Sequence, residues 1–277
     1  MILQINYLKV YFYATEVIME QLFGICRVSV APIRSEPSDK AEIASQLLFG
    51  DCVAVLEKQD RWWLIKTTYD DYEGWIDFRQ LKIISNDEYT IAQQSKHLVP
   101  TTPLNILTDP EGNLLYLSPG SNLPAFDHGF CFLGDQKYSI SFEPKVAEFT
   151  DMNSLISTAR FFLNAPYLWG GRTLFGIDCS GFVQNVFKLN GVDLKRDAWQ
   201  QAEQGVTVDF LQEVQPGDVA FFDNAQGRIT HVGIMLNPAK IIHASAKVKI
   251  DPIDNQGIYS NELGKYTHNL RIIKRFV

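Results

Sequence analysis

The chain has 277 residues, 46% hydrophobic and 21% charged, the composition of a folded chain with room for two or three domains. A formal charge of -7 and a pI near 5.3 argue against nucleic acid or an anionic membrane as a partner. No run reaches the roughly 18 to 20 uninterrupted apolar residues of a membrane helix, and the four cysteines, Cys26, Cys52, Cys131 and Cys179, lie far apart without metal-ligand pairing, which suits a reducing compartment. Neither a metal nor a cofactor is expected.

Met1 to Phe23 carries Lys9, Glu16 and Glu20, lacks a basic start and a cleavage site, and reads as an N-terminal extension rather than a signal peptide. Over 24–86, alternating runs at Ile25–Val30, Gln46–Phe49, Cys52–Leu56, Trp62–Thr67 and Gly74–Ile76 are separated by turns, the pattern of a small all-β barrel. Trp62, Trp63 and Trp75 are expected in its core and at its ends. Over 87–148 the chain is again strand-like and rich in turns, with pairing segments at Phe130–Leu133 and Tyr138–Phe142. This predicts a second, degenerate barrel without chemistry of its own, and Glu143 to Met152 is the expected crossing into a last domain over 149–277.

In that domain Asn153 to Leu163 has a helical apolar stripe and Pro166 follows it. Next comes Gly176-Ile177-Asp178-Cys179-Ser180-Gly181-Phe182. Asp178 is a good N-cap, Phe182, Val183, Val186, Phe187 and Leu189 fall at helical spacing, and Asn190-Gly191 is a good stop. Cys179 therefore sits in a first helical turn, where the helix end favours a thiolate below the usual pKa of about 8.5. Leu194 to Gln201 reads as a loop followed by a short helix, and Gln215-Pro216-Gly217-Asp218 turns into a strand over Val219–Phe222. Ile229–Leu236 and Ile241–Ser245 read as neighbouring antiparallel strands carrying His231 and His243. A hairpin pairing Leu236 with Ile241 would put the two imidazoles on opposite faces. A pairing of Leu236 with Lys240, or a bulge, would put them on one face.

Tyr167-Leu168-Trp169-Gly170-Gly171, Asp178-Cys179-Ser180-Gly181-Phe182, Gln215-Pro216-Gly217-Asp218-Val219-Ala220-Phe221-Phe222, His231-Val232-Gly233-Ile234 and Ile242-His243-Ala244-Ser245 together resemble the NlpC/P60 cysteine peptidases. Arg34-Ser35-Glu36-Pro37-Ser38, Gln46-Leu47-Leu48-Phe49-Gly50 and Tyr72-Glu73-Gly74-Trp75-Ile76 are similar to the bacterial SH3 module found ahead of this peptidase in the γ-D-glutamyl-L-diamino acid endopeptidases. The resemblance implies SH3-like barrels followed by an α+β papain-like domain that cuts peptidoglycan stem peptides. It implies Cys179 as nucleophile, His231 as proton carrier, His243 as its orienter, and Tyr167 as an oxyanion or substrate contact.

The same subgroup implies a cytoplasmic recycler of murein peptides that begin with a free L-alanine. Asp197 would hold the alanine ammonium, with Ser180 and Trp169 lining the pocket and Glu42 and Tyr72 reaching in from the first barrel. Glu36 competes with Glu42 for that role. Ala198 stands where relatives often carry serine. Three other functions stay open: a secreted hydrolase cutting intact wall, a wall-peptide-binding protein with a dead peptidase, and an acyltransferase on the same scaffold.

Overall fold

A computed structural model describes residues 21–277. The extension expected over 1–23 lies outside the described residues apart from its last three, of which Phe23 opens the first strand. Seven antiparallel strands form the N-terminal barrel: β1 Phe23–Cys26, β2 Val30–Arg34, β3 Ile43–Leu48, β4 Cys52–Gln59, β5 Trp62–Thr67, β6 Glu73–Asp77 and β7 Leu81–Ile84, ordered β3-β2-β6-β5-β4-β1-β7. The expected run Ile25–Val30 breaks after Cys26, and β2 forms despite Pro32. On its β6 side β2 pairs only through Arg34 and Trp75, so the N–H that proline lacks costs no ladder bond there.

Helix α1, Asn86–Gln94, stands where strands were expected. Its signal is the capping box at Ser85 and Glu88: the Glu88 amide donates to Ser85 Oγ at 3.3 Å and the Ser85 amide to Glu88 Oε2 at 2.7 Å. The middle unit continues with β8 His97–Leu98, β9 Asn105–Thr108, β10 Leu114–Leu117, β11 Phe130–Leu133, β12 Gln136–Ile140 and β13 Lys145–Val146. Four of them make an antiparallel sheet ordered β10-β9-β12-β11. Its core of Val99, Leu107, Leu117, Leu123, Cys131 and Leu133 also takes in Ile25 and Phe49 of the barrel, so the two units share apolar packing.

The last unit packs helices α2 Met152–Phe161, α3 Cys179–Leu189 and α4 Ala198–Gln201 against an antiparallel sheet. Its strands are β14 Arg172–Thr173, β15 Gly176–Ile177, β16 Val206–Val208, β17 Val219–Asp223, β18 Ile229–Asn237, β19 Lys240–Ser245, β20 Lys247–Pro252, β21 Gly257–Ser260 and β22 Lys265–Arg275. The main sheet runs β16-β22-β17-β18-β19-β20, while β14 pairs with β15 alone. Phe162, Phe182, Val183, Val186, Val219, Phe221, Val232, Ile234 and Ile242 meet between helices and sheet. No helix among the described residues is long and apolar enough to cross a membrane.

Helix α3 is buried on every side, not only along its apolar stripe. Its polar face is covered by the other two units. Gln184 Nε2 donates to Asp70 Oδ2 at 2.7 Å, Asn185 Nδ2 to the Pro119 carbonyl at 3.1 Å, and Lys188 Nζ to Asp51 Oδ1 at 3.2 Å. Asp51, only 4% exposed, also accepts from Arg172 Nη1 at 3.0 Å, Asn122 Nδ2 at 2.7 Å and the Leu48 amide at 2.9 Å. One carboxylate thus joins all three units. Burial pushes its pKa up, but Lys188 and Arg172 outweigh that and hold it below the ordinary value.

Removing this carboxylate leaves two buried cations facing each other, so Asp51→Ala is expected to lower the unfolding free energy by about 3 to 5 kcal/mol. Urea titration of both proteins measures it. A change below about 1 kcal/mol would mean that solvent already satisfies Lys188 and Arg172.

Candidate active site

The nucleophile's position follows from the cap before it. Asp178 Oδ1 accepts from the Gly181 amide at 2.7 Å and Oδ2 from the Gly170 amide at 2.9 Å, fixing Cys179 as the first residue of α3. Arg196, 1% exposed, grips the same carboxylate in a fork, Nη2 to Oδ2 at 2.6 Å and Nη1 to Oδ1 at 3.1 Å. Its remaining bonds go to Ser180 Oγ at 2.9 Å and, through Nε, to Ser45 Oγ of the barrel at 2.9 Å. The barrel therefore helps hold the cap of the nucleophile helix. Arg196 was not among the residues singled out from the sequence, because an arginine beside an aspartate ordinarily reads as a solvated pair.

Cys179 is 6% exposed. Burial pushes its thiol up to about 12, and the Asp178 carboxylate adds to the rise, against smaller pulls from the Val232 backbone, Arg196 and the Ser180 backbone. The expected resting thiolate is corrected here: desolvation outweighs the helix end. His231 is held well below its ordinary value, first by burial and then by the neighbouring His243, His268 and Lys249. Thiol and neutral imidazole are the resting partners.

The hairpin resolves the question of faces. Gly233 pairs with His243, Met235 with Ile241 and Asn237 with Lys240, and Leu236 is left over as a bulge. His231, two residues before Gly233, therefore shares the face of His243. The rings meet edge to face, with His231 Nε2 at 2.8 Å from His243 Nδ1. Gly233 makes this approach possible: a Cβ there would lie 2.7 Å from His243 Cβ and 2.8 Å from Ile241 Cδ1.

Two further groups complete the cluster. His243 Nε2 lies 3.1 Å from Asp251 Oδ2, and Lys249 Nζ lies 3.2 Å from the same oxygen. His268 stacks on His231 at a centroid distance of 4.0 Å, and burial, then His243, pushes its pKa down to about 4. Neither Asp251 nor His268 was anticipated. Alternation over Lys247–Pro252 was the available signal for Asp251, whereas nothing local marks His268, which reaches the site through β22.

The substrate residues expected from the sequence fall on both sides of the domain boundary. Tyr167 is half-buried, and burial followed by Cys179 and Asp178 pushes its hydroxyl up, so it keeps its proton and can donate. Burial raises the Asp197 carboxyl, opposed by Arg196 and by a bond from Trp199. Tyr72 of the barrel is pushed up to about 12, by burial and next by the Asp197 charge. Trp169 Nε1 donates to Glu42 Oε1, so Glu42 also reaches the peptidase side. Glu36 is exposed, and its carboxylate makes no hydrogen bond among the described residues. Ser180 is buried, its hydroxyl engaged by Arg196 and by Asp178 Oδ1 at 3.3 Å.

Beyond the imidazoles, Tyr167, Thr230, His231, Ser245 and His268 line a cavity of about 340 Å³. A second cleft of about 470 Å³, between Asp51, Tyr69, Lys96 and Lys188, contains none of these groups. The site thus combines a buried thiol at a helix start, a neutral imidazole chain ending on a carboxylate, a protonated phenol, and a partly buried aspartate at the contact with the barrel.

Residues 164–266 match the NlpC/P60 family, and residues 33–81 match the bacterial dipeptidyl-peptidase Sh3 domain. The chain is 31% identical over 225 residues to a gamma-D-glutamyl-L-lysine dipeptidyl-peptidase of Bacillus subtilis (strain 168), covering 73% of this chain and 72% of that protein. It is 27% identical over 251 residues to dipeptidyl-peptidase 6 of Lysinibacillus sphaericus, covering 82% and 90% respectively. In fold it superposes on the crystal structure of an NlpC/P60 family protein from Bacillus cereus with a TM-score of 0.77 at 22% identity, over 92% of this chain and 99% of that one. The protein belongs to the NlpC/P60 family of cysteine peptidases and carries an SH3-like domain ahead of the peptidase.

Proposed function

We propose that the protein hydrolyses the bond between γ-D-glutamate and an L-diamino acid in murein peptides that begin with a free L-alanine. The observation that carries this reading is the barrel's contact with the residues around Asp197: the adjacent Arg196 donates through Nε to Ser45 Oγ of the barrel at 2.9 Å, and the Trp169 indole donates to Glu42 of the same barrel. In this reading the barrel closes one end of the cleft, and Asp197 with Tyr72 there would suit a short ligand that ends in an ammonium, since a buried cation needs charged partners and tolerates no chain continuing past it. Relatives named for γ-D-glutamyl-L-lysine dipeptidyl-peptidase activity support the bond assigned. An intact wall strand carries its alanine in an amide to muramic acid, so such a pocket selects peptides already released. That points to recycling in the cytoplasm.

In this reading His231 removes the thiol proton as Cys179 Sγ attacks the γ-glutamyl carbonyl, then delivers it to the departing amine of the diamino acid. Water, deprotonated by the same imidazole, releases the acyl group. Charge on the carbonyl oxygen meets the Cys179 amide at the start of α3 and the Tyr167 hydroxyl, each such donor being worth about 3 kcal/mol. His243 accepts from His231 and keeps its ring in register with the thiol.

The pH dependence follows from the resting partners. Because His231 is held well below 6.5 in its buried site, the neutral, active base persists to lower pH than an ordinary histidine would allow. The acid limb of kcat is therefore expected below pH 6.5, and kcat/KM should fall again above about pH 8 as the alanine ammonium loses its charge. Initial rates from pH 4 to 10 check this. A kcat limb at or above 6.5 would require an imidazole that titrates in water.

The proposed bond is tested by incubating the purified protein with defined muropeptides and weighing the products. Free L-Ala-γ-D-Glu-diamino acid peptides are expected to yield the L-Ala-D-Glu dipeptide. Cleavage of muramic-acid-linked stems at an equal rate would support a wall hydrolase in its place.

A further inference from the structure

We infer that Asp251 is a positioning residue that fixes which nitrogen of both imidazoles carries the proton, and so leaves His231 Nδ1 as the base for Cys179. Strand pairing brings it there. His243 on β19 pairs with Lys249 on β20, and Ile241 with Asp251, so Asp251 lies diagonally across from His243 on the same face. The two meet at 3.1 Å, His243 Nε2 to Asp251 Oδ2.

An ionised carboxylate can only accept, and a neutral imidazole has one N–H. Burial would push the Asp251 carboxyl up, but its bonds to His243 and Lys249 hold it below the ordinary value, so it stays charged. His243 must then carry its proton on Nε2, leaving a lone pair on Nδ1. That lone pair is 2.8 Å from His231 Nε2, which must therefore be the donor. The proton of His231 is thus placed on Nε2, and its Nδ1 is bare. Each step is forced by the one before it, and the chain begins at Asp251.

The other charged and titratable groups around the pair do not reverse this order. Lys249 donates to Asp251 and lies 3.4 Å from Glu262, beyond the carboxylate. His268 stacks face to face on His231 and takes its own bond from the neighbouring Thr267 hydroxyl or gives one to it, at 2.8 Å. Cys179 at the start of α3, its cap Asp178, and Tyr167 take no part in the bonds between the rings. With Asp251 removed, nothing but solvent would choose between the two tautomers of His243, and a His243 protonated on Nδ1 would force His231 to hold its proton where the base is needed.

This inference rests on His231 being the proton carrier. The test uses the full chain carrying Cys179→Ala and uniform ¹⁵N labelling, with two-bond ¹H–¹⁵N spectra of the imidazoles near neutral pH. His231 and His243 are both expected as the Nε2–H tautomer. In the Asp251→Ala protein the His231 signal should shift toward Nδ1–H, and with the thiol restored kcat should fall about 10- to 100-fold at nearly constant KM, the range typical when a partner orienting a functional imidazole is lost. Asp251→Asn, whose amide oxygen can accept from the same two donors, should restore most of the rate and the parent tautomer. A parent His231 protonated on Nδ1, or an unchanged kcat in Asp251→Ala, overturns the inference. If Asp251→Ala does not fold, the parent spectrum and the asparagine variant decide it. Full activity in His231→Ala would instead overturn the underlying assignment, so the two failures are distinguishable.

Discussion

Cys179→Ser and His231→Ala are each expected to reduce kcat by about 10⁴-fold or more, with the urea midpoint essentially unmoved. The thiol is pushed up to about 12 by its burial, so it carries no thiolate reserve at neutral pH and depends on a base during the attack. Serine fits the same space but offers a poorer nucleophile to the same neutral imidazole. Loss of His231 leaves an intact thiol with no acceptor for its proton. Because the two act as a unit, the double variant should be little worse than either single one. His243→Ala should cost less than His231→Ala, since His243 orients a ring and carries no proton to substrate. Turnover of a γ-glutamyl substrate by purified Cys179→Ser at more than a few per cent of the parent rate would remove the thiol mechanism.

Asp197→Ala is expected to lower kcat/KM for free-amine substrates by about 30- to 150-fold, the 2 to 3 kcal/mol of a charged hydrogen bond in a partly buried site. The proposed pocket draws on both units: Arg196, next to Asp197, donates to Ser45 of the barrel at 2.9 Å, and Glu42 of the same barrel accepts from the Trp169 indole. Tyr72→Phe should therefore weaken the same substrates, in KM more than in kcat, although the residue lies more than a hundred positions before the nucleophile. Steady-state kinetics on one free-amine tripeptide compares all three proteins. An Asp197→Ala enzyme with unaltered kcat/KM would show that the ammonium is held elsewhere.

What could be read along the chain was local. The N-cap Asp178, the helical run after Cys179 and the strands bearing His231 and His243 all announce themselves through period and turn chemistry, and they form as expected. The bulge at Leu236 was legible only as one of two alternatives, because the choice belongs to strand register and not to residue type. Asp251 and His268 arrive through β20 and β22, whose pairing brings together residues that no spacing rule relates. The full burial of α3 is illegible along the chain for a similar reason: Gln184 and Lys188 look solvent-facing until Asp70 and Asp51 of the barrel meet them. The resting state of the thiol is likewise a property of depth, which a helix-start argument does not contain.

Parallel hydrolysis of L-Ala-γ-D-Glu-diamino acid and its N-acetyl form, followed by mass spectrometry under identical conditions, bears most directly on the function proposed for this enzyme. Acetylation removes the ammonium and adds bulk where the proposed function has Asp197 and the barrel hold it, so it is expected to remove at least what Asp197→Ala removes. The free peptide is expected to show a kcat/KM at least about 30-fold higher than its acetylated form. Equal rates for the two would contradict the account, because a cleft indifferent to that amine is open at the end where the barrel is held to close it.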